Sequence, residues 1–175
     1  MGIMSKTTAA YIAGFIDGEG TITIKRTHIK KSICYDVNLS VSNTNKDIIQ
    51  WLQDSYGGTF HISTYGNDKW KTIYRWTLYR SHNLICFLQT IKPYLRLKKR
   101  HAEIVLEMNK FLGHGFVTYK RNKKGQIIEH FVDDNITKKR EELHQEIKIL
   151  NHRGALHGER LSEVTPKGDA IVRHS

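Results

Sequence analysis

Long apolar runs, cysteine and proline are all scarce in this chain of 175 residues. No stretch approaches the roughly 20 apolar residues of a membrane-spanning helix, so we expect no segment that crosses a membrane. The two cysteines, Cys34 and Cys86, are too few for a disulfide framework, and no C-x-x-C pair accompanies the ten histidines to make a structural zinc site. The first residues lack the apolar segment of a secretory signal, so we expect an intracellular, reducing location.

Positive charge is abundant. The formal net charge is +11 and the sequence pI is about 9.7. A balance this basic indicates a polyanionic partner, most often nucleic acid, with a membrane surface as the alternative. Hydrophobic residues make up 39% of the chain, and the length suits one domain with a substantial core.

The most informative stretch is Ile12–Gly20, which reads IAGFIDGEG. Helix-forming residues precede and enter it, and Ser5, Thr7 or Thr8 can cap a helix that we expect over about residues 9–17. Ala10, Gly14 and Gly18 follow one another at one-turn spacing on one face. A helix face without side chains allows another backbone to approach closely.

Two acids, Asp17 and Glu19, stand at the C-terminal end of this predicted helix. The helix dipole disfavours carboxylates at that end, so their placement suggests a compensating cation. The alternative is an ordinary amphipathic helix that ends in a Gly-rich turn.

The nonapeptide resembles the motif of the LAGLIDADG homing endonucleases. Small, apolar and acidic residues occupy the motif's nine places in order, with Ile, Phe, Gly and Glu replacing Leu, Leu, Ala and the second Asp. The resemblance implies that the last acid, Glu19, together with Gly18, binds a catalytic divalent metal, Mg²⁺ with Mn²⁺ as a possible substitute. It also implies that the motif helix packs against a second copy. The interface residues carried over are Ala10, Ala13, Gly14 and Asp17, although Asp17 also suits a role in capping or bracing the helix end.

Two segments after the motif alternate between apolar and polar residues with a period of two, which predicts half-buried strands. The first begins after Gly20, and the second covers Tyr35–Ser42. We expect the basic segment between them, Arg26–Ser32, to form a turn.

A helix is predicted over Asn43–Tyr56, with Thr44 or Asn45 as its cap and Gly57-Gly58 as its end. Two more alternating segments follow, around residues 60–63 and 71–79, with turn residues between them. Ser81-His82-Asn83 then caps a short helix that Pro93 ends.

The resulting order, αββαββα, predicts an α+β fold with a four-stranded antiparallel sheet and helices on one face. We expect the polar face of the sheet to bind DNA, because a β-ribbon fits the major groove; a merely solvated face is the alternative. The expected DNA-binding residues are Thr23, Lys25, Thr27, Asn38, Ser40, Ser42, His61, Ser63, Lys71, Ile73, Arg75 and Thr77.

The basic stretch 94–102 also resembles a segment of the single-motif members of that family. The resemblance implies that Lys98 lies near the metals and the scissile phosphate, while the alternative is one of several phosphate-contacting or solvated cations. The family also keeps an Asn or Gln near the second helix that positions water. Asn43 is our choice over Asn45, and a capping role explains either residue equally well.

The predicted endonuclease core spans residues 1–112. A C-terminal extension, 113–153, contains a small hairpin and a helix capped within 133–135, and its apolar stripe should pack on the core. Residues 154–175 lack periodicity and form a predicted tail.

The single copy of the motif implies a homodimer. By resemblance, the chain is an intron-encoded, site-specific DNA endonuclease that makes metal-dependent double-strand breaks at a long, near-palindromic target. The alternative is a non-cleaving binder on the same fold, either an intron RNA maturase, with RNA as partner, or a transcription regulator. An HNH or zinc nuclease lacks the required histidine spacing, and a structural RNA-binding protein does not explain the Gly-rich acidic helix.

Overall fold

The computed structural model describes residues 4–29, 32–64, 71–79, 82–113 and 117–152. Within these residues, five α-helices and six strands follow one another in the order that the sequence predicts, with a short 3-10 turn at Lys92–Tyr94. The elements are α1 (Lys6–Glu19), β1 (Gly20–Ile29), β2 (Ser32–Asn43), α2 (Lys46–Tyr56), β3 (Thr59–Ser63), β4 (Ile73–Tyr79), α3 (His82–Ile91), α4 (Lys99–Phe111), β5 (Val117–Arg121), β6 (Ile127–Val132) and α5 (Asp134–Asn151).

Four strands form one antiparallel sheet in the order β1-β2-β4-β3, and β5 pairs with β6 in a separate hairpin. Alternate residues of the sheet, among them Ile22, Leu39 and Trp76, are fully buried against the helices. The side chains between them form the opposite, polar face. The predicted α+β fold with helices on one face is therefore confirmed.

The motif helix α1 begins earlier than predicted. The Ser5 hydroxyl accepts a hydrogen bond from the Thr8 backbone N–H at 3.1 Å, which caps the helix. A stripe that includes Ile12 and Ile16 is fully buried in the core. The helix ends at Glu19 and the chain enters β1 at the next residue, so no linker separates them.

The predicted turn at 26–32 is wrong. β1 continues to Ile29 and β2 resumes at Ser32, so the two strands make a long hairpin arm. Arg26 and Tyr35 of this arm also contact Glu141 of α5, and local composition gives no sign of these contacts.

Two helix boundaries also differ from the prediction. The first helix after β2 begins only at Lys46, because the Asn45 side chain accepts hydrogen bonds from the next backbone N–H groups at 2.9 and 3.2 Å. It ends at Gly57, whose φ of 72° favours glycine. The sequence pattern predicts the next helix over Glu103–Phe111, but α4 already starts at Lys99, so the basic segment before it is partly helical.

The C-terminal helix α5 has the predicted cap, Asp133, and its stripe packs on the core. Leu143 and Ile147 are buried and belong to the same cluster as the sheet residues. The predicted turn at 65–68 and tail at 154–175 lie outside the described residues. Within the described ranges, no helix combines the length and apolar character needed to cross a bilayer.

Candidate functional site

The site begins where α1 meets β1. Glu19 is the last residue of the helix, and Gly20 pairs with Val41 at the start of the sheet. The Glu19 side chain is exposed, and its carboxylate makes no hydrogen bond or ion pair with any described residue. Because it also lies at the negative end of the helix, this carboxylate is poised to accept a cation.

Asp17, one half-turn earlier, is held within its own chain. Its carboxylate accepts hydrogen bonds from the backbone N–H groups of Arg96, at 2.7 Å, and Lys98, at 2.9 Å. The side chain therefore braces the loop before α4, as one of its two predicted roles required. Its other predicted role, as an interface residue, does not fit this inward orientation.

Lys98 is brought to the end of α1 by that brace. Its ammonium group donates a hydrogen bond to the Asp17 carbonyl oxygen, which is one of the unpaired carbonyls of the last helical turn. Partial burial lowers the pKa of Lys98, and the negative charges of Asp17 and Glu19 nearby oppose that shift. The two predicted catalytic groups, Lys98 and Glu19, thus lie close enough to interact.

Asn43 is the last residue of β2, at the same end of the sheet. Because Gly20 pairs with Val41, the end of β2 extends two residues beyond that pair, alongside the end of α1. The Asn43 side-chain oxygen accepts a hydrogen bond from the Asn45 backbone N–H at 2.8 Å. Its amide nitrogen has no partner among the described residues, whereas the Asn45 side chain serves as the cap of α2.

The oxygen atoms at the end of α1 are of the kind that bind a divalent cation. Carboxylate and carbonyl oxygens are the ligands that Mg²⁺ prefers, and Glu19 beside Gly18 supplies them at an exposed position. The described residues contain no cluster of three or more His, Cys, Asp or Glu side chains that could enclose an ion. Within the described residues, one copy of the chain therefore does not enclose a metal ion by itself.

The polar face of the sheet brings most of the predicted DNA-binding residues together. Residues from all four strands line one groove: Thr23, Lys25, Asn38, Ser40, His61, Ser63, Arg75 and Thr77, with Ile62 and Tyr79. The Arg75 guanidinium donates a hydrogen bond to the Ser42 hydroxyl at 3.0 Å, which fixes its direction across the face. This surface combines cations with short hydrogen-bonding groups.

The side chains on this face differ in how far they are exposed to solvent. Asn38 and Thr77 are only 4% and 5% exposed, so they form the floor of the groove, and their prediction as side chains that extend to a ligand needs correction. Thr27 is exposed on the hairpin arm. Ile73 pairs with Ser63 across β4 and β3, and Lys71 is exposed before β4 begins.

Tyr79, which was not among the expected DNA-binding residues, is a further member of the groove. Its side chain is 43% exposed. The period of two that selects Arg75 and Thr77 also selects Tyr79, so the signal was present. An aromatic ring with a hydroxyl adds a hydrogen-bonding and stacking group to the groove.

The exposed face of α1 is bare, as predicted from its glycines. A Cβ atom placed on Gly14 or Gly18 would meet nothing within 4 Å. Ala10 is exposed on the same face, but Ala13 is fully buried inside the chain. The prediction of Ala13 as an interface residue is therefore wrong, because the helix turns it toward the core.

An aromatic pair that the sequence analysis also missed lies beside this bare face. Tyr11 is 57% exposed, and its ring meets the edge of Trp51 at a centroid distance of 6.2 Å. The two rings, with Thr7, Thr8 and Ile48, line a mainly apolar depression. Exposed aromatic surface next to a bare helix face is typical of a contact site.

Comparisons with known proteins agree on one family. The sequence profile described as LAGLIDADG endonuclease matches residues 12–104, more than half of the chain. No curated protein sequence matches significantly.

Solved structures show the same fold. The homing endonuclease I-CvuI in complex with its target is 23% identical over 82% of each chain, with a TM-score of 0.62. The archaeal intron-encoded homing endonuclease I-Vdi141I complexed with DNA is 18% identical over 90% of this chain and 89% of its own, with a TM-score of 0.65. I-SmaMI, bound to uncleaved DNA in the presence of calcium ions, matches over only 44% of its length, with a TM-score of 0.57 and 18% identity.

The profile match covers both the acidic end of α1 and the lysine loop that Asp17 braces. By this match and the shared fold, the chain belongs to the LAGLIDADG endonuclease family.

Proposed function

We propose that this chain is a homing endonuclease that works as a two-fold homodimer and makes metal-dependent double-strand breaks at a long, near-palindromic DNA site. The observation that carries the proposal is the meeting of three features at one point. Glu19 and Lys98 interact at the junction of α1 with β1, directly after the bare face of α1 and before the strand residues of the polar face. A cleavage centre placed there lies between a partner helix and a bound duplex.

The single Glu19 supports the dimer. Two copies packed through Gly14 and Gly18 would bring their Glu19 carboxylates together and complete a cation site that one copy leaves half formed. The lengths of the structural relatives agree with this arrangement. I-CvuI matches this chain over 82% of its length, whereas I-SmaMI is more than twice as long as the part that matches.

Mg²⁺, or Mn²⁺ in its place, would supply Lewis acidity and a water of lowered pKa when bound between the Glu19 carboxylates. Lys98 would stabilise negative charge that develops on the phosphoryl oxygens, and its partial burial strengthens that electrostatic effect. The bonds from Asp17 hold the Lys98 backbone in place. The free amide nitrogen of Asn43 is suited to orient a water molecule.

The polar face of the sheet would recognise the base sequence of the DNA target. Arg75 and Lys25 present donors that suit guanine O6 and N7 or phosphate oxygens, and His61 and Ser63 add groups at the edge strand. A two-fold protein places the same face on each half-site, which accounts for a near-palindromic target.

The test is a cleavage selection. Purified protein is incubated with a randomised DNA library in Mg²⁺, and in EDTA, beside the Glu19→Gln variant. We expect metal-dependent double-strand cuts at one long near-palindrome, lost in Glu19→Gln while binding to the same DNA is retained or improved. Glu142→Gln, at an exposed position of α5, is the matched control and should cut normally.

Stability separates a catalytic role of Glu19 from a structural one. Removing the carboxylate relieves its unfavourable position at the negative end of α1 but also removes its attraction to Lys98, so the free energy of unfolding should change by less than about 1 kcal/mol. Combined loss of folding and binding would instead make Glu19 structural. Specific retention of DNA or RNA by the wild type without any cut would favour the non-cleaving binder, a maturase or regulator.

A further inference from the structure

The distal half of the β1–β2 hairpin reaches beyond the four-stranded part of the sheet. β2 pairs with β4 only from Asn38 to Asn43, so within the described residues the arm beyond Asn38 is a two-stranded ribbon. A ribbon of two strands is marginally stable in water unless another element packs on it. The outer face of this arm carries Lys25 and Thr27, which belong to the proposed DNA-binding face.

Helix α5 packs on the inner face of the hairpin and contacts β1 at two separated points. Near the end of the helix, the Asn151 amide donates a hydrogen bond to the Ile22 carbonyl oxygen at 3.0 Å. Ten residues earlier, Glu141 lies 3.2 Å from the Arg26 guanidinium. Four strand residues span about 13 Å and ten helical residues about 15 Å, so the helix runs along the strand between these points.

Glu141 joins both strands of the arm at one level. Arg26 and Tyr35 are cross-strand partners, and the Tyr35 hydroxyl donates a hydrogen bond to the same carboxylate that meets Arg26. Tyr35 is only 7% exposed, although it lies in the two-stranded part of the hairpin. Glu141 thus fastens both strands of the arm to α5.

The Glu141 carboxylate is itself oriented by its own helix. The Gln145 amide donates a hydrogen bond to it at 2.6 Å, and the His144 ring packs on Tyr35 at a centroid distance of 5.8 Å. A carboxylate with charged and neutral donors on several sides has one preferred geometry. The cluster of Arg26, Tyr35, Glu141, His144 and Gln145 is called the arm clamp below.

We propose that Glu141 is a positioning residue that sets the angle of the hairpin arm and thereby controls recognition of the outer base pairs of each half-site. The inference rests on the proposed function, because it needs the arm to lie along DNA. Lys25 and Thr27 are on the opposite face from the clamp, one residue from Arg26 on either side, so a shift of the arm moves both of them. The cleavage centre at Glu19 lies at the other end of β1.

The test uses the DNA site that the wild-type protein selects, with substitutions placed at the outer, middle and central base pairs. Glu141→Gln keeps the side-chain shape and removes the charge. We expect discrimination at the outer positions to fall about tenfold, within the range of one good base contact. Discrimination at the central positions, and the cleavage rate at saturating DNA, should stay within about twofold of wild type, while KM rises.

Three further variants make the result specific. Tyr35→Phe removes only the hydroxyl and should change the same outer positions in the same direction. Glu142→Gln, the neighbouring exposed residue of α5, should change none. The charge-reversed pair Arg26→Glu with Glu141→Arg should recover more outer discrimination than either single change.

Two results would overturn the inference while leaving the endonuclease intact. In one, Glu141→Gln and Tyr35→Phe retain the complete wild-type specificity profile. In the other, specificity falls equally at all positions and in proportion to lost thermal stability, which is the behaviour of a purely structural contact. Absence of any cutting by the wild type would count against the proposed function itself, so the two failures are distinct.

Discussion

The Asp17 carboxylate accepts a hydrogen bond from the backbone N–H of Lys98 at 2.9 Å, across 81 residues of sequence. The Lys98 ammonium group returns the contact by donating to the Asp17 carbonyl oxygen. The last turn of α1 and the loop before α4 are therefore held together from both sides. This pair determines where the lysine stands relative to Glu19.

Asp17→Asn should separate this structural pairing from the chemistry. The amide keeps one acceptor oxygen but presents a donor to a second backbone N–H, so we expect a loss of about 1–3 kcal/mol in the free energy of unfolding by urea. Cleavage should fall because Lys98 loses its position. Asp54→Asn, at an exposed acid on α2, should change stability by less than about 0.5 kcal/mol. An Asp17→Asn protein as stable as wild type would contradict the brace.

Replacing Gly14 or Gly20 of the motif with alanine should change the stability of the chain in opposite directions. At Gly14 a Cβ atom meets nothing within 4 Å, so Gly14→Ala should stabilise the isolated chain by about 0.5–1 kcal/mol through helix propensity. At Gly20 a Cβ atom would lie 2.7 Å from the Ile16 carbonyl oxygen, so Gly20→Ala should destabilise it. Thermal unfolding of the two variants compares them, and equal shifts would contradict the structure.

A larger side chain at Gly14 tests the dimer. Gly14→Leu should leave the folded chain intact and weaken self-association, because the leucine blocks approach of a second helix. Gln89→Leu, which adds the same side chain at an exposed position of α3, is the control. Sedimentation of both variants gives the answer, and a Gly14→Leu dimer of wild-type affinity would exclude this face as the interface.

Arg75 should contribute to target specificity. Its guanidinium is exposed and is aimed across the groove by the bond to Ser42, so Arg75→Ala should cost about 1–3 kcal/mol in binding and relax the preference at the base pair it meets. Lys25→Ala should weaken binding more evenly across sequences if it meets phosphate. Binding to the selected DNA over a range of salt distinguishes the two. Unchanged binding in both variants would show that this face does not meet DNA.

His101 should make stability depend on pH. It is only 8% exposed in α4, and its buried Nδ1 has no hydrogen-bond partner among the described residues. Burial, and then the positive charge of Lys98, hold the pKa of His101 below its ordinary value of 6.5. The folded state thus prefers the neutral ring, so this contribution to stability is complete above the ordinary pKa and is lost as the pH falls through the lowered one.

The His101→Gln variant should therefore lose less stability than wild type between about pH 7 and about pH 5. Urea unfolding at several pH values measures the difference. His28→Gln, at an exposed histidine on the hairpin arm, should follow wild type. Parallel curves for wild type and His101→Gln would show that the buried ring does not titrate in this range.

The local sequence pattern was sufficient to predict the strands of the sheet and the bare face of α1. Period-two alternation marked the sheet residues because one face is buried and the other is not. The segment predicted as a turn at 26–32 is instead mostly paired strand, and its tertiary support includes Glu141, which is 106 residues away from Tyr35 in sequence and cannot be seen in local composition.

The wrong prediction of Ala13 as an interface residue has a different cause, the rotation of α1 about its own axis relative to the core. Ala10 and Ala13 are both small, and nothing in their chemistry says which one turns inward; the buried stripe of α1 decides it. The partners of Asp17 were equally out of reach, since Arg96 and Lys98 lie about 80 residues away. The resemblance placed Lys98 near Glu19, but the backbone bonds that put it there are visible only in three dimensions.

The absence of any linker between Glu19 and Gly20 has a consequence for spacing. In a pair of copies joined through α1, each reading sheet would be fused directly to the helix that holds the pair together. The distance and rotation between the two half-sites that such a dimer can bind would then be fixed. One base pair inserted at the centre of the target rotates the half-sites relative to each other by about 35° and separates them by about 3.4 Å. Two sheets joined rigidly through α1 could not move to follow that change.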